Sequence, residues 1–493
     1  EALEGHRVTV GAKFIRGVAW MAAGGWTEQA IKFAVFAVLA NILGPELYGL
    51  MAMAAVFSVS AEQLVRESVS EYLIAAHDPD EADYNATFWL TTGIGLALAV
   101  FLNLISGPVA QVYGQAEVGE MLRVLSVTVP LIAFTAVPVA ILRREFNFRA
   151  MSLRAVAGEV VGGAVGIGMA LTGWGVWSYV GHWVALIATN VVLAWTAVDW
   201  RPGLRTTPAH LRRAGAFGIR VLGLRAGEVG LVQLPVFLIG VTLGPLATGL
   251  YGIAWRLVEP LSNLISTPLR MVSQPAFAEI NRAGGRAGDL LLDIARMSGL
   301  AAFPFFAGLA VLARPILGVV FGPEWLPAAP VLQVMSFLGL YICIAMVQQS
   351  FCLAAGHAGD ITILTWATVA LAAVLMLIAA PYGVVAITAG FVAAFYLLWV
   401  LRFRIVSRLG GGAIGPLIAC NGKPAVAALV MAGAVHVIHG ALSDAGWSAG
   451  LALGVSILAG IAVFAALAVL MMRDRLTLFL SYVAPGRFPA PEV

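Results

Sequence analysis

Acidic and basic side chains stand three or four positions apart inside four long apolar stretches of this chain. The four pairs are Glu28 with Lys32, Glu62 with Arg66, Arg225 with Glu228, and Arg256 with Glu259. Residues at this spacing lie on one face of a helix, so each pair can neutralise itself. Ionisable groups are costly in hydrocarbon, and those that occur there often mark a path for ions or charged molecules. The pairs therefore predict either helix stabilisation beside a water-filled cleft or a site for charged cargo.

Basic residues outnumber acidic residues among the candidates. The candidate binding residues, for a pyrophosphate or an acidic sugar, are Lys32, Arg66, Arg220, Arg225, Arg256 and Arg270. A guanidinium group suits bidentate phosphate contacts, so this excess predicts anionic cargo. The candidate residues for gating or for ion coupling are Glu28, Glu62, Glu159, Glu228 and Glu259.

The composition decides which kind of element carries these side chains. Of the 493 residues, 60% are hydrophobic and only 11% are charged, which is typical of a polytopic α-helical membrane protein. The loops are short, and no phosphate-binding G-x-x-x-x-G-K-[ST] motif occurs, so the sequence contains no sign of an ATP-driven pump. The three cysteines have no metal-ligand spacing. We expect neither a metal nor a cofactor, and no nucleic-acid partner.

Apolar stretches long enough to cross a bilayer predict fourteen membrane spans. They are 16–42, 49–70, 86–106, 120–141, 150–171, 176–198, 216–242, 247–274, 297–318, 329–354, 361–380, 384–403, 417–438 and 448–471. Lys and Arg lie almost entirely in every second loop, beginning with the N-terminal segment. Because cytoplasmic loops carry an excess of these residues, we expect both termini to be cytoplasmic.

A short motif recurs two hundred residues along the chain. Leu43-Gly44-Pro45 and Gly49-Leu50 return as Leu243-Gly244-Pro245 and Gly249-Leu250. Spans one to six therefore correspond to spans seven to twelve in the same orientation, which predicts two parallel six-helix repeats followed by two extra helices. The predicted organisation is an N-terminal lobe at 1–200, a C-terminal lobe at 201–410, two additional transmembrane helices at 411–475 and a cytoplasmic tail at 476–493.

Three segments are similar to those of a known family. They are residues 43–50, Leu-Gly-Pro-Glu-Leu-Tyr-Gly-Leu; 142–149, Leu-Arg-Arg-Glu-Phe-Asn-Phe-Arg; and 173–178, Gly-Trp-Gly-Val-Trp-Ser. With the span plan, they resemble the WzxC-type lipopolysaccharide and exopolysaccharide flippases of the multidrug/oligosaccharidyl-lipid/polysaccharide (MOP) flippase superfamily. The resemblance implies a V-shaped alternating-access fold whose cavity is lined by spans one, two, seven and eight.

The resemblance also implies a function, which is not enzymatic. Such proteins move undecaprenyl-pyrophosphate-linked oligosaccharide units from the cytoplasmic to the periplasmic leaflet of the bacterial inner membrane, coupled to an ion gradient. The implied partners are the lipid-linked oligosaccharide, membrane lipids, H⁺ or Na⁺, and polysaccharide assembly proteins. Two alternatives within the superfamily are a flippase for the peptidoglycan lipid precursor and a cation-coupled multidrug antiporter. A membrane polysaccharide polymerase or ligase is the alternative from another class, although the large outward loop that such enzymes need is missing.

Overall fold

Helices make up all the regular structure that is described. The computed structural model describes the backbone of residues 2–472 except 69, 77, 286 and 413. Within that range it leaves out the side chains of 2–24, 26, 67–71, 75, 220–222, 224 and 414. Twelve helices of the described part are long and apolar enough to cross a membrane. The predicted class, a polytopic all-α membrane protein, is confirmed.

The chain divides into two compact units, Glu1–Gly249 and Leu250–Val493. The helices that begin in the first unit are α1 Ala2–Ser68, α2 Ser70–Ala75, α3 Glu81–Tyr113, α4 Ala116–Ser126, α5 Thr128–Arg144, α6 Phe148–Leu171, α7 Trp177–Thr196 and α8 Pro208–Arg282. The chain passes into the second unit inside α8. The remaining helices are α9 Gly288–Val311, α10 Ala313–Val320, α11 Ala329–Ala354, α12 Ala358–Ala379, α13 Val384–Arg408, α14 Ile414–Ala419, α15 Gly422–Asp444 and α16 Ala449–Met471, with short 3₁₀ turns at Pro323–Ala328 and Ala380–Tyr382.

Two of the long helices contain a break at the repeated motif. Gly44 in α1 has φ 72° and ψ 175°, and Gly244 in α8 has φ 80° and ψ −171°. Positive φ is open to glycine because it has no Cβ, and the proline that follows each glycine lacks the amide that a continuous helix needs. The twelve helices differ from the fourteen predicted spans at these two breaks, since the sequence division counts α1 and α8 as two spans each.

The two copies of the motif pack against each other within the first unit. A Cβ atom added to Gly49 would overlap the backbone carbonyl of Pro245, and one added to Gly249 would overlap the carbonyl of Pro45. The contact is thus reciprocal and joins backbone to backbone. It requires glycine at both positions, as close helix approach in membranes generally requires small residues.

Side chains fix the beginning of α3 and the segment that follows α7. Asp80 caps α3 by accepting the backbone amide of Asp83, and the side chain of Asp83 returns a bond to the amide of Asp80. Asn85 accepts the Gly203 amide and donates to the Arg205 carbonyl, while the Trp89 indole donates to the Gly203 carbonyl. The segment between α7 and α8 is therefore tied to α3.

Candidate substrate site

The predicted basic residues of the first unit differ in exposure. Lys32 in α1 and Arg225 in α8 are half-buried, whereas Arg66, in the last turn of α1, is exposed. The side chain of Arg220 lies outside the described residues. Lys32 and Arg225 thus lie in helices that can cross a membrane, where a cation requires a partner or a ligand.

Arg225 and Glu228 form one of the four pairs that the spacing predicts. The Nη1 atom of Arg225 donates to Oε2 of Glu228 at 2.9 Å, and both side chains are about one-third exposed, at 32% and 36%. Three positions along α8 place the two groups on one helix face. An ion pair so open to its surroundings contributes little to folding, so Arg225 can exchange part of its contact for another anion.

Glu62 has a different environment from the one that its spacing to Arg66 predicts. Its side chain is 2% exposed, and Oε1 accepts hydrogen bonds from Thr128 at 2.5 Å and from the Trp183 indole at 3.2 Å. These donors belong to α5 and α7, and Arg66 acts on the carboxylate through its charge. Neutral donors from two other helices thus hold this carboxylate inside the first unit.

The structure adds one arginine of α6 that the sequence analysis did not select. Arg154 is half-buried. Its Nε atom is buried and has no hydrogen-bond partner among the described residues. The sequence does not single out Arg154, because this residue lies only four positions after the start of the predicted span at 150–171. A basic residue so close to the end of a span is explained by the cytoplasmic orientation of that end. Glu159, five residues further along α6, is buried, with its side chain 6% exposed.

The second unit contains the other predicted residues. Arg256 and Glu259 of α8 are half-buried, and Arg270 is exposed. The charge of Glu259 acts on the buried hydroxyl of Tyr251, two turns earlier in the helix. Arg402 of α13 falls near the end of the predicted span at 384–403, and the structure buries it, with Nη1 donating to the carbonyl of Ala345 at 3.0 Å.

Three possible metal ligands meet at the beginning of α3 and α8, although the sequence predicts no metal site. The ligand atoms of Asp80, Asp83 and His210 lie within 4.8 Å of one another. These groups already have partners, since Asp83 accepts the Tyr72 hydroxyl at 2.9 Å and lies 3.6 Å from Arg213, and His210 lies 3.5 Å from Asp80. The arrangement is one of charged contacts between α8 and the beginning of α3, with a hydrogen bond from Tyr72 of α2.

Solved structures share this fold. The chain resembles the lipid II flippase MurJ in an inward closed conformation, with a TM-score of 0.71, 14% identity, and coverage of 92% of this chain and 99% of that chain. It also resembles an inward-facing multidrug resistance MATE family transporter of the MOP superfamily, with a TM-score of 0.55, 16% identity, and coverage of 79% and 96%. At these identities the likeness establishes the fold alone, and it is the fold that the sequence predicts.

Curated relatives come from three bacteria. The chain is 24% identical to the succinoglycan biosynthesis transport protein ExoT of Rhizobium meliloti, over 66% of this chain and 67% of the relative. It is 23% identical to the teichuronic acid biosynthesis protein TuaB of Bacillus subtilis, over 70% and 72%. It is 21% identical to the lipopolysaccharide biosynthesis protein WzxC of Escherichia coli, over 66% and 67%.

A protein-family model settles the membership. The model described as "Polysaccharide biosynthesis protein" matches residues 38–330, which is more than half of the chain. The matched range begins before the break at Gly44 and extends beyond the break at Gly244, so it includes both copies of the repeated motif. Together with the relatives and the shared fold, this confirms the family resemblance that three short segments suggested. The chain belongs to the polysaccharide biosynthesis protein family.

Proposed function

We propose that this protein is a flippase that moves undecaprenyl-pyrophosphate-linked oligosaccharide units from the cytoplasmic to the periplasmic leaflet of a bacterial inner membrane. The observation that carries the proposal is the placement of guanidinium groups inside apolar helices of a chain in this family. Arg225 is half-buried in α8, where an anionic group can compete with Glu228. A pyrophosphate offers several oxygens for bidentate contacts with Arg.

The remaining roles follow from charge and position. Six basic residues bind the pyrophosphate or the acidic sugars of the lipid-linked oligosaccharide while this molecule crosses the membrane. They are Lys32, Arg66, Arg220, Arg225, Arg256 and Arg270. The carboxylates Glu28, Glu62, Glu159, Glu228 and Glu259 control opening or bind the coupling ion, H⁺ or Na⁺. The lobes alternate in a V-shaped cycle, with lobes at 1–200 and 201–410, two further spans at 411–475 and a cytoplasmic tail at 476–493. Both termini lie in the cytoplasm, where polysaccharide assembly proteins meet the flippase.

The test is leaflet-resolved transport by the purified protein. Proteoliposomes receive a fluorescent undecaprenyl-pyrophosphate-linked oligosaccharide, and an impermeant quencher reports the fraction in the outer leaflet before and after an ion gradient is applied. We expect protein-dependent movement of the lipid. Vesicles with the Arg225→Ala variant, which we expect to retain the fold because the pair is partly exposed, provide the matched control and should transport much more slowly.

Parallel vesicles separate the two alternatives within the superfamily. One set contains the peptidoglycan lipid precursor and another contains a cationic drug. Movement of either compound without movement of the oligosaccharide lipid would contradict the proposal. A basic excess among the candidate residues favours the anionic lipid over the cationic drug.

A further inference from the structure

A cavity of about 760 Å³ opens beside the first turns of α8, within the first unit. Tyr72 of α2 forms one wall of this cavity. The first turns of α8 form the other wall, where Ala209, Arg212, Arg213 and Ala216 are spaced so that they share one helix face. A volume of this size is typical of a ligand site. The described lining includes none of the candidate substrate residues, so the cavity is a separate feature.

The lining is apolar at one end and basic at the other. The rings of Tyr72 and Phe217 have centroids 6.0 Å apart, and Ala216 precedes Phe217 in α8. Arg213 comes four residues before Phe217, which is ~6 Å along the helix axis, and Arg212 lies beside it. None of the described lining residues is acidic. The ligand that matches this lining has an anionic group joined to an apolar chain.

Both arginines can bind a further acceptor. Arg212 is exposed and has no ion pair or hydrogen bond among the described residues. Arg213 is 57% exposed, and its Nη2 atom lies 3.6 Å from Oδ1 of Asp83, which is longer than a hydrogen bond. The same oxygen of Asp83 accepts the Tyr72 hydroxyl at 2.9 Å. Asp83 thus offsets the charge of Arg213 without occupying its donors, and the charge of Arg212 stays uncompensated within the described part of the chain.

The basic end of the cavity lies at the membrane surface. Arg213 precedes the predicted span at 216–242 by three residues, which is ~4.5 Å along the helix. Aromatic side chains, which are enriched at membrane–water interfaces, gather at the same end of the unit. The ring centroid of Tyr84, in the first turn of α3, lies 6.3 Å from that of Trp200, and the Trp195 and Trp200 centroids are 6.0 Å apart. An anion bound to the arginines here, with its chain at the apolar end, is a lipid headgroup.

We propose that this cavity binds an anionic phospholipid of the cytoplasmic leaflet. Arg212 and Arg213 hold the headgroup phosphate, and the first part of an acyl chain lies against Ala216, Phe217 and Tyr72. Guanidinium groups suit phosphate oxygens, and basic residues beside a membrane span are attracted to anionic lipids. The phosphate competes with Asp83 for Arg213, so the bound lipid acts on the contact between α8 and the beginning of α3. The site does not depend on the flippase function proposed above.

Binding of phosphatidylglycerol tests the site. The full-length protein in detergent is titrated with this lipid, and native mass spectrometry gives the fraction of protein that carries it. We expect Arg212→Gln to weaken binding about fivefold, because one basic residue near an anionic headgroup is lost. Ala216→Phe should weaken it by a similar factor, because the larger side chain fills the apolar end and leaves both charges in place.

Two controls separate this site from general surface charge. Arg205→Gln removes the same charge from an exposed residue of the segment before α8 that does not line the cavity, and it should bind as the parent does. Phosphatidylcholine with the same acyl chains should bind at least about fivefold more weakly than phosphatidylglycerol, because its headgroup has no net charge.

Four results would overturn the proposal. The first is unchanged affinity for phosphatidylglycerol in both Arg212→Gln and Ala216→Phe. The second is an equal loss in Arg205→Gln, which would indicate diffuse attraction to basic loops. The third is equal binding of phosphatidylcholine, which would mean that the cavity recognises the chain alone. The fourth is displacement of phosphatidylglycerol, one for one, by the undecaprenyl-pyrophosphate-linked oligosaccharide, which would make the cavity a site for that lipid.

Transport is measured separately, so that the two proposals can fail independently. Loss of phosphatidylglycerol binding in Arg212→Gln and Ala216→Phe, with Arg205→Gln unaffected, supports the lipid site even if the parent protein moves no oligosaccharide lipid. Transport by the parent protein, with phosphatidylglycerol affinity unchanged in both cavity variants, would contradict the lipid site alone.

Discussion

Glu62 and Glu228 show two ways in which one residue type is held in an apolar helix. Glu62 is buried and accepts from the neutral donors Thr128 and Trp183 on other helices. Glu228 is one-third exposed and shares its charge with Arg225 on its own helix. Removal of the first breaks contacts between helices, whereas removal of the second takes one anionic partner away from Arg225. The two carboxylates should therefore respond oppositely in stability and transport.

The Arg225–Glu228 pair should matter for transport more than for folding. We expect Glu228→Gln to change the free energy of unfolding by no more than about 0.5 kcal/mol, because a pair this exposed is screened. Arg225→Ala should also leave the unfolding midpoint nearly unchanged but reduce oligosaccharide-lipid transport at least about tenfold. Thermal unfolding and leaflet-resolved transport on the same preparations check this. Parent-level transport by Arg225→Ala at equal protein amount would remove Arg225 from the site.

The stability of the fold should depend on the carboxylate oxygens of Glu62. Glu62→Leu leaves the Thr128 and Trp183 donors without this acceptor and should lower stability by about 1–3 kcal/mol. Glu62→Gln keeps an oxygen at the same place and should lower it less. If Glu62 also binds the coupling ion, Glu62→Gln should fold yet lose the response of transport to an applied ion gradient. A normal response in that variant would leave Glu62 with a structural role only.

Contacts within one helix of the candidate site can be predicted from the sequence, whereas contacts between helices cannot. Spacing along one helix predicts contacts within that helix, and the Arg225–Glu228 pair is formed. It cannot predict contacts between helices, because these depend on which faces meet. Thr128, Trp183 and Arg154 therefore become candidates only when α5, α6 and α7 are placed beside α1. The chain contains no local pattern that joins them.

At the scale of elements, glycine determines where long helices break and how closely they approach. Gly44 and Gly244 supply the left-handed backbone at the two breaks, and Gly49 and Gly249 permit the contacts beside them. The sequence predicts the breaks, because Gly-Pro interrupts an apolar run. It does not predict that the two motifs contact each other, since a repeat reveals common descent and says nothing about distance.

The contact between the motifs should not tolerate a methyl group. We expect Gly49→Ala and Gly249→Ala each to destabilise the protein by about 1–3 kcal/mol, because the neighbouring atoms are backbone and cannot rotate away. Gly93→Ala in α3 is the matched control. A Cβ at Gly93 meets nothing within 4 Å, and alanine favours a helix by up to about 1 kcal/mol, so its unfolding midpoint should be equal or higher. Equal midpoints for Gly49→Ala and Gly93→Ala would refute the close contact.

The beginning of α3 should respond to acid. The Asp83 amide, and then the charge of His210, hold the pKa of the Asp80 carboxyl below its usual value of 3.8. A depressed pKa means that the cap stabilises the folded state above the unfolded pKa and is lost as pH falls through the folded pKa. We expect hydrogen exchange at the Asp83 amide to accelerate only below about pH 4. The same onset in Asp80→Ala, which lacks the cap, would contradict this assignment.

For the whole molecule, the sequence predicts the class, a polytopic all-α membrane protein, because hydropathy is read directly from composition. The hydropathy signal is strong because a span needs about 20 apolar residues, and each of the fourteen predicted spans overlaps one of the twelve long apolar helices of the described residues. The boundary between the two compact units falls between Gly249 and Leu250, inside α8, where nothing in the local composition changes. Compact units are defined by contacts between residues distant in sequence, whereas the predicted lobes at 1–200 and 201–410 follow the sequence repeat and stay a prediction.

Orientation of the whole chain can be tested with cysteine labelling. Cys343, Cys352 and Cys420 are buried, so an impermeant maleimide should report mainly on new exposed cysteines. We expect Glu117→Cys to be labelled from the periplasm and Asp199→Cys only after the inner membrane is opened, because basic residues flank the cytoplasmic loops. Both replaced residues are exposed. Labelling of Asp199→Cys from outside would invert the topology.

The reciprocal contact between Gly49 and Gly249 has a consequence for biosynthesis. The first unit cannot finish its packing until residue 249 has left the ribosome, two hundred residues after its counterpart. At a synthesis rate of about 5–20 residues per second, the first motif waits roughly 10 to 40 s for the second. During that interval its tight backbone surface lies open to lipid and to insertion factors. Quality control of this protein should therefore be concentrated on nascent chains that end before the second motif.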